Sequence, residues 1–339
     1  MARLPPDLLS RSAEEGARLV ALSYLDEIAR AEHRLADAQD SEALHDFRVG
    51  LRRLRSCLRA YRGSLKGSVS KKMRRRLRDL TLATNAGRDG EVQLEWLRQR
   101  AGRLGLEETE GLAWLVGRLE GRQFDARAKV TSGAAARFVK LAAKVRPRLE
   151  TVQLAVRTGR GQPRFLFSDA TGELIGSYVE QLGERIEAVR NGQDVAEAHA
   201  ARIAAKRLRY LLEPLSPRVP RVRALVGRLK RLQDVLGNLH DMQVMTEEIT
   251  SVLAALQKAE VPSGAPSGLL ALRRIAQEQA GLSFTSFQSQ WPNGRAASFL
   301  NRAAEVGQGL ASEDQARVGY SSSPAPALTA AWLTPDSPI

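Results

Sequence analysis

The sequence predicts an all-α protein, and three observations carry that expectation. Apolar residues recur at spacings of three and four through long stretches, those stretches are rich in Ala, Leu, Arg and Glu, and alternating runs of β-branched residues are hard to find. The pattern breaks where Gly and Pro gather, at residues 63–67, 102–105, 159–163, 214–220, 262–268 and 291–294, leaving segments of helical length between. The break Thr158-Gly-Arg-Gly-Gln-Pro163 divides the 339 residues nearly in half, so the expected units are 8–158 and 164–303. The final stretch, 320–339, has four prolines and many small residues and is expected to be disordered and without a part in function.

Charge points to the partner. The chain has 52 Lys plus Arg against 38 Asp plus Glu, a net charge of +14, which favours an anionic ligand and says nothing of the fold. A single cysteine, Cys57, excludes an intramolecular disulfide framework and fits a reducing, cytoplasmic setting. Every apolar stretch is interrupted by charge well short of the roughly 20 residues a membrane span needs, and no membrane insertion is expected.

A repeat organises the rest. His45-x2-Arg48-x3-Arg52-Arg53-Leu54-Arg55 recurs as His199-x2-Arg202-x3-Lys206-Arg207-Leu208-Arg209, 154 residues later. Leu77-Arg78-Asp79-Leu80 is likewise followed, 152 residues on, by Leu229-Lys230-Arg231-Leu232, with Arg88-Asp89 matched to His240-Asp241. Two duplicated motifs in the same order imply duplicated halves.

On a helix, Leu44, Phe47, Leu51, Leu54, Leu58 and Tyr61 form a stripe that must face a core. One residue along, His45, Arg48, Arg52, Arg55, Arg59 and Arg62 form a ladder of cations flanking that stripe, one helical turn apart. In the second copy Ala198, Ala201, Ala205, Leu208, Leu212 and Leu215 repeat the stripe, while His199, Arg202, Lys206 and Arg209 repeat the ladder. Arg53 and Arg207 point off it, toward packing or a contact between halves. From Arg48 to Arg78 there are thirteen Lys or Arg and no acid, whereas an ordinary solvated helix mixes signs. A row of this kind suits an extended anion, because a compact one would satisfy a rung or two and leave the rest repelling. The preference for Arg suits forked hydrogen bonds to phosphate oxygens.

These motifs, together with Leu229-Lys-Arg-Leu-Gln-Asp-Val-Leu-Gly-Asn-Leu-His-Asp241, resemble the CHAD domain, the conserved histidine α-helical domain, from about Leu8 to about Ala303. The resemblance implies two antiparallel four-helix bundles related by a pseudo-twofold, with a basic central surface that binds inorganic polyphosphate and places proteins at polyphosphate granules. Carried over by position, the binding residues are His45, Arg48, Arg52, Arg53 and Arg55 in the first copy, to which the ladder itself adds Arg59. His199, Arg202, Lys206, Arg207 and Arg209 are their second-copy equivalents, with Arg78, Lys230 and Arg231 on the following helices. The chain lacks the Glu-x-Glu-x-Lys signature of the CYTH triphosphatase domain that some relatives carry, so the expectation is binding without hydrolysis, without a cofactor or metal.

Two other functions compete. Adjacent His45-Asp46 and His240-Asp241 are the residue types of an HD-type metal phosphohydrolase, yet Ala200 replaces Asp in the repeat and the basic ladder would repel a cation. Nucleic acid is the stronger rival, since phosphate contacts alone attract DNA or RNA. No zinc-ligand spacing, recognition-helix motif or interleaved aromatic platform accompanies the basic residues, so such binding would ignore sequence and be weak.

Overall fold

The structure is a computed structural model describing residues 4–37, 39–40, 42–85, 88–100, 106–151, 165–256 and 265–318, with backbone only at 85, 88–89, 106–108, 123–132 and 312–318. Among the described residues it is all-α. The helices are α1 (Ala13–Arg34), α2 (Ala43–Ala60), α3 (Lys71–Asn85), α4 (Arg88–Arg98), α5 (Leu106–Glu150), α6 (Phe167–Glu187), α7 (Val195–Leu212), α8 (Pro220–Leu256), α9 (Ala265–Gln290) and α10 (Ala297–Val318). The expected breaks at 63–67, 214–220 and 291–294 separate helices; those at 102–105 and 159–163, and the expected disordered tail 320–339, lie outside the described residues.

Two further turns, before α2 and before α7, have no proline to announce them. In each an aspartate takes backbone N–H groups: Asp40 from Glu42 and Ala43 at 3.1 and 3.0 Å, Asp194 from Arg190 and Asn191 at 2.8 and 2.9 Å. A carboxylate that accepts otherwise orphaned donors does the work of a proline or glycine in fixing where the chain turns.

The stripes read from the sequence are buried. Phe47 and Leu51 of α2 are fully inside, as are Ala201, Ala205 and Leu208 of α7. Each large apolar side chain so buried contributes about 1.5–3 kcal/mol. α1, α2, α3 and the C-terminal part of α5 pack together, as do α6, α7, the N-terminal part of α8 and α10, and their apolar residues join in one contiguous core. Where α6 and α10 cross, a Cβ on Gly172 would lie 2.5 Å from the Gly307 carbonyl oxygen, so the crossing requires glycine.

The long helices α5 and α8 extend past this core. Their far ends meet α4 and α9 around a second cluster that includes Leu97, Leu115, Met245, Ile249 and Leu272. This distal layer draws on residues from both halves of the sequence, a packing the repeat does not reveal because α9 has no counterpart among the repeated motifs.

The halves are also tied at their starts. The Ala13 N–H donates to the Phe165 carbonyl at 3.1 Å and the Phe167 N–H to the Arg11 carbonyl at 2.8 Å, so α1 and α6 begin side by side. Tyr61, at the end of α2, stacks on Phe167 with centroids 5.0 Å apart and shares a 2.8 Å hydrogen bond with the Thr171 hydroxyl of α6. Consequently α2 and α7, which carry the ladders, pack against one another.

Candidate polyanion-binding surface

Each ladder begins with its histidine, and the two histidines sit differently. His45 is exposed, next to Asp46, which accepts from Arg34 at 2.6 Å. His199 is half-buried, its ring 5.3 Å from that of His240 on α8. Burial first, and then the charges of Arg202, His240 and Lys206, hold the His199 imidazole below its ordinary value.

Arg48, Arg53 and Arg209 are committed to the protein, and Arg78 makes an exposed ion pair with the adjacent Asp79 at 3.3 Å. Arg48 is 3% exposed; its Nε donates to the Thr84 carbonyl and its Nη1 to the Glu91 carboxylate, both at 2.6 Å. It fastens α2 to α3 and α4, and so lies apart from the open row. Arg53 crosses between halves, donating to Glu213 at 2.8 Å and to Glu27 at 3.4 Å. Arg209 approaches the same Glu213 carboxylate at 3.3 Å and lies 4.9 Å from the centroid of the Tyr210 ring. Glu213 thus gathers one arginine from each copy of the repeat, at the off-ladder position in the first copy and the last rung in the second.

The rest of the central cations converge. Burial, then Arg59 and Arg78, lower the Arg55 guanidinium below its ordinary value. Arg207 is lowered by burial, then by Arg59, with Arg55 and Arg185 adding repulsion and only the Tyr178 phenol opposing them. Arg74 is lowered by burial and by Arg62. A guanidinium this hard to deprotonate moves downward only when water is withdrawn and other cations stand near. Arg55 and Arg59 of α2, Arg78 of α3, Arg185 of α6 and Arg207 of α7 therefore form one basic patch across the line where the halves meet. Arg207, placed off the ladder by helical geometry, faces it because the partner ladder comes from the other half. Arg52 lies half-buried beside this row, its Nε enclosed without a hydrogen-bond acceptor.

Further along α7, Arg202 and Lys206 accompany His199. Lys230 and Arg231 are exposed on α8, and Arg231 lines a separate cleft with Arg228 and Arg295. Arg185, Arg228 and Arg295 carry no signal in the sequence that would select them: Arg185 stands between Glu184 and Glu187, and the other two belong to no repeated motif. The side chains of Arg88 and Asp89 lie outside the described residues.

The CHAD domain family matches residues 20–250, which takes in both histidine-headed helices and the Leu229–Asp241 motif. The chain belongs to the CHAD family. The CHAD domain of the plant Ricinus communis superposes with a TM-score of 0.64 at 21% identity, over 86% of this chain and 92% of that one. PptA from Streptomyces chartreusis superposes at 0.53 and 18% identity, over 85% and 99%. At such identities the likeness speaks for the fold. No curated protein matches the chain.

Among the described residues of this CHAD protein, no helix is long and apolar enough to cross a membrane, and no three His, Cys, Asp or Glu side chains gather as a metal site would need. Cys57 is buried, and burial pushes its thiol up to about 12. It acts as a packing residue against α1, its Sγ 3.9 Å from the Ala17 carbonyl.

Proposed function

We propose that this protein binds inorganic polyphosphate, without hydrolysing it, along the basic patch between α2 and α7. One observation carries the reading: Arg55, Arg59 and Arg207, from two different halves, are crowded together with no carboxylate among the groups that act on Arg55 or Arg207. The unliganded protein bears that repulsion, and a polyanion laid across it converts the repulsion into attraction. Helix α2 alone is about 27 Å long. A linear phosphate chain can follow a row of that length and meet successive forks, whereas a single phosphate would occupy one or two and leave the others opposed. The family to which the chain belongs, and the resemblance that implies polyphosphate, support the same substrate.

Nucleic acid fits the patch less well. Tyr178, the ring beside Arg59 and Arg207, is partly buried and packs against the core, which limits the face on which a base could stack. The hydrolase reading needs a metal cage; His45 and Asp46 instead lie exposed at the head of α2, with Asp46 turned to Arg34. Placement at polyphosphate granules in the cytoplasm follows from this proposal as its cellular consequence.

The test is competition. Labelled long-chain polyphosphate is bound at physiological salt and challenged with double-stranded DNA, RNA and tripolyphosphate. The proposal expects long polyphosphate to compete best per phosphate and no orthophosphate to be released. Equal competition by DNA or RNA would make the patch a general polyanion surface, and release of orthophosphate would make the protein an enzyme.

A further inference from the structure

A second cluster of cations is carried by α8 and the turn between α9 and α10. α8, the end of α9 and the α9–α10 turn enclose a cleft of about 480 Å³ lined by Arg228, Arg231, Ser289, Gln290, Trp291 and Arg295. That volume falls in the range of small-ligand sites, about 300–1,000 Å³. No carboxylate lines it, and none of its three arginines has an ion pair among the described residues.

The cleft is built rather than incidental. Its turn passes through Asn293 at φ 56° and Gly294 at φ 75°, and the Glu187 carboxylate of α6 accepts both of their backbone N–H groups, at 3.0 and 3.3 Å. That fixes Trp291 and Arg295 on either side of the turn. Arg295 is further held by donation to the Gln288 carbonyl at 2.9 Å. Arg228 lies 5.1 Å from the centroid of the Trp291 ring and 5.9 Å from that of Phe299, an arrangement that orients its planar fork. Trp291 itself is 1% exposed, yet its indole Nε1 has no acceptor in the protein. A buried indole N–H ordinarily finds a partner, and leaving one unmade costs about 1–3 kcal/mol.

We propose that this cleft binds a compact inorganic oxyanion of the pyrophosphate type. The lining presents donors in three guanidiniums, those of Arg228, Arg231 and Arg295. The Ser289 hydroxyl is already turned to the Ser286 carbonyl at 2.9 Å, and the Gln290 amide nitrogen to the Ser286 hydroxyl at 3.3 Å. A ligand rich in acceptors and negative charge matches such a set, and two linked phosphates offer enough oxygens to meet all three forks where one does not. A nucleotide base has no place to stack, because the indole is closed over by Arg228, Phe299 and its own burial. Arg231, which the family resemblance places among the polyphosphate residues, lines this cleft instead, and the proposal does not depend on polyphosphate binding at the patch between α2 and α7.

The experiment titrates pyrophosphate into the full-length protein at physiological salt by calorimetry, with tryptophan fluorescence in parallel. Three proteins are compared: wild type, Arg231→Gln/Arg295→Gln, and Arg55→Gln/Arg59→Gln/Arg207→Gln. Arg231 and Arg295 are exposed, so the first variant keeps its fold, as circular dichroism will verify. Saturable binding is expected in wild type and in the α2/α7 variant, with affinity falling about tenfold or more in Arg231→Gln/Arg295→Gln, as expected from the loss of charge-assisted hydrogen bonds. The proposal is overturned if wild type shows no saturable binding, if Arg231→Gln/Arg295→Gln binds like wild type, or if the α2/α7 variant alone abolishes binding. A protein that fails to bind long polyphosphate yet passes this test refutes only the other proposal.

Discussion

Replacing Glu213 with leucine probes how the two halves are held. The carboxylate is 8% exposed and faces Arg53 at 2.8 Å and Arg209 at 3.3 Å, whose side chains are 25% and 18% exposed. Without it, two largely desolvated guanidiniums confront each other, with Glu27 left as a longer partner for Arg53 alone. Removing one member of a buried ion pair costs about 3–5 kcal/mol. Partial exposure of the arginines and the presence of Glu27 place this case near the lower end, about 3 kcal/mol. At about 2 °C per kcal/mol for a chain of this size, Glu213→Leu is expected to lower Tm by about 6 °C. Urea denaturation followed by circular dichroism measures the change directly, and the core shared by both halves makes a single transition the expectation. The triple variant Arg53→Met/Arg209→Met/Glu213→Leu should recover most of the loss, since well-packed apolar residues often replace a buried ion cluster at little cost. A Glu213→Leu protein within about 1 kcal/mol of wild type would refute the reasoning.

Other consequences follow from the same geometry. Arg207→Met keeps an apolar stem and removes a charge that Arg59, Arg55 and Arg185 all oppose, so it should raise Tm by a few degrees while weakening polyphosphate binding; a lower Tm would count against the crowding. Because the folded His199 lies below its ordinary pKa of about 6.5, the unfolded chain takes up the proton first, and unliganded stability should fall as pH drops below that value. A bound polyanion raises the same group, so binding should take up protons on complex formation, as read by calorimetry in buffers of different ionisation enthalpy, and His199→Gln should reduce that uptake. Cys57, buried with its thiol pushed up to about 12, should resist thiol reagents in the native protein and react fully in denaturant.

Much of the fold can be read in the sequence because local periodicity reports burial. Phe47, Leu51, Ala201 and Leu208 are inside for the reason their spacing predicts, and the paired repeats mark the two helices that meet. The distal layer of α4, α5, α8 and α9 is invisible to the same reasoning, since nothing in the pattern of one helix tells which others its far end will touch. For the candidate site, spacing identifies cations and leaves their partners unknown. Arg48 and Arg55 occupy equivalent-looking rungs, yet Arg48 is claimed by Thr84 and Glu91 from segments 36 and 43 residues away, whereas Arg55 stands among Arg59 and Arg78. Arg207, off the ladder of its own helix, faces the patch because α2 comes to it from the other half. Arg185 gives no signal at all, lying between two glutamates in the sequence and near enough to Arg207 in space to repel it.

The central claim, that one polyphosphate chain spans cations of both halves, is tested most directly by the salt dependence of binding. Each phosphate that a substitution leaves without its cation should reduce the slope of log K against log salt by about 0.7, the value for a flexible single-stranded polyanion. Arg59→Gln in one half and Arg207→Gln in the other should each flatten the slope by about 0.7, and the pair together by about 1.4. If the slope changes with only one of the two substitutions, the chain lies on one half alone; if it changes with neither, polyphosphate does not bind at the patch between α2 and α7.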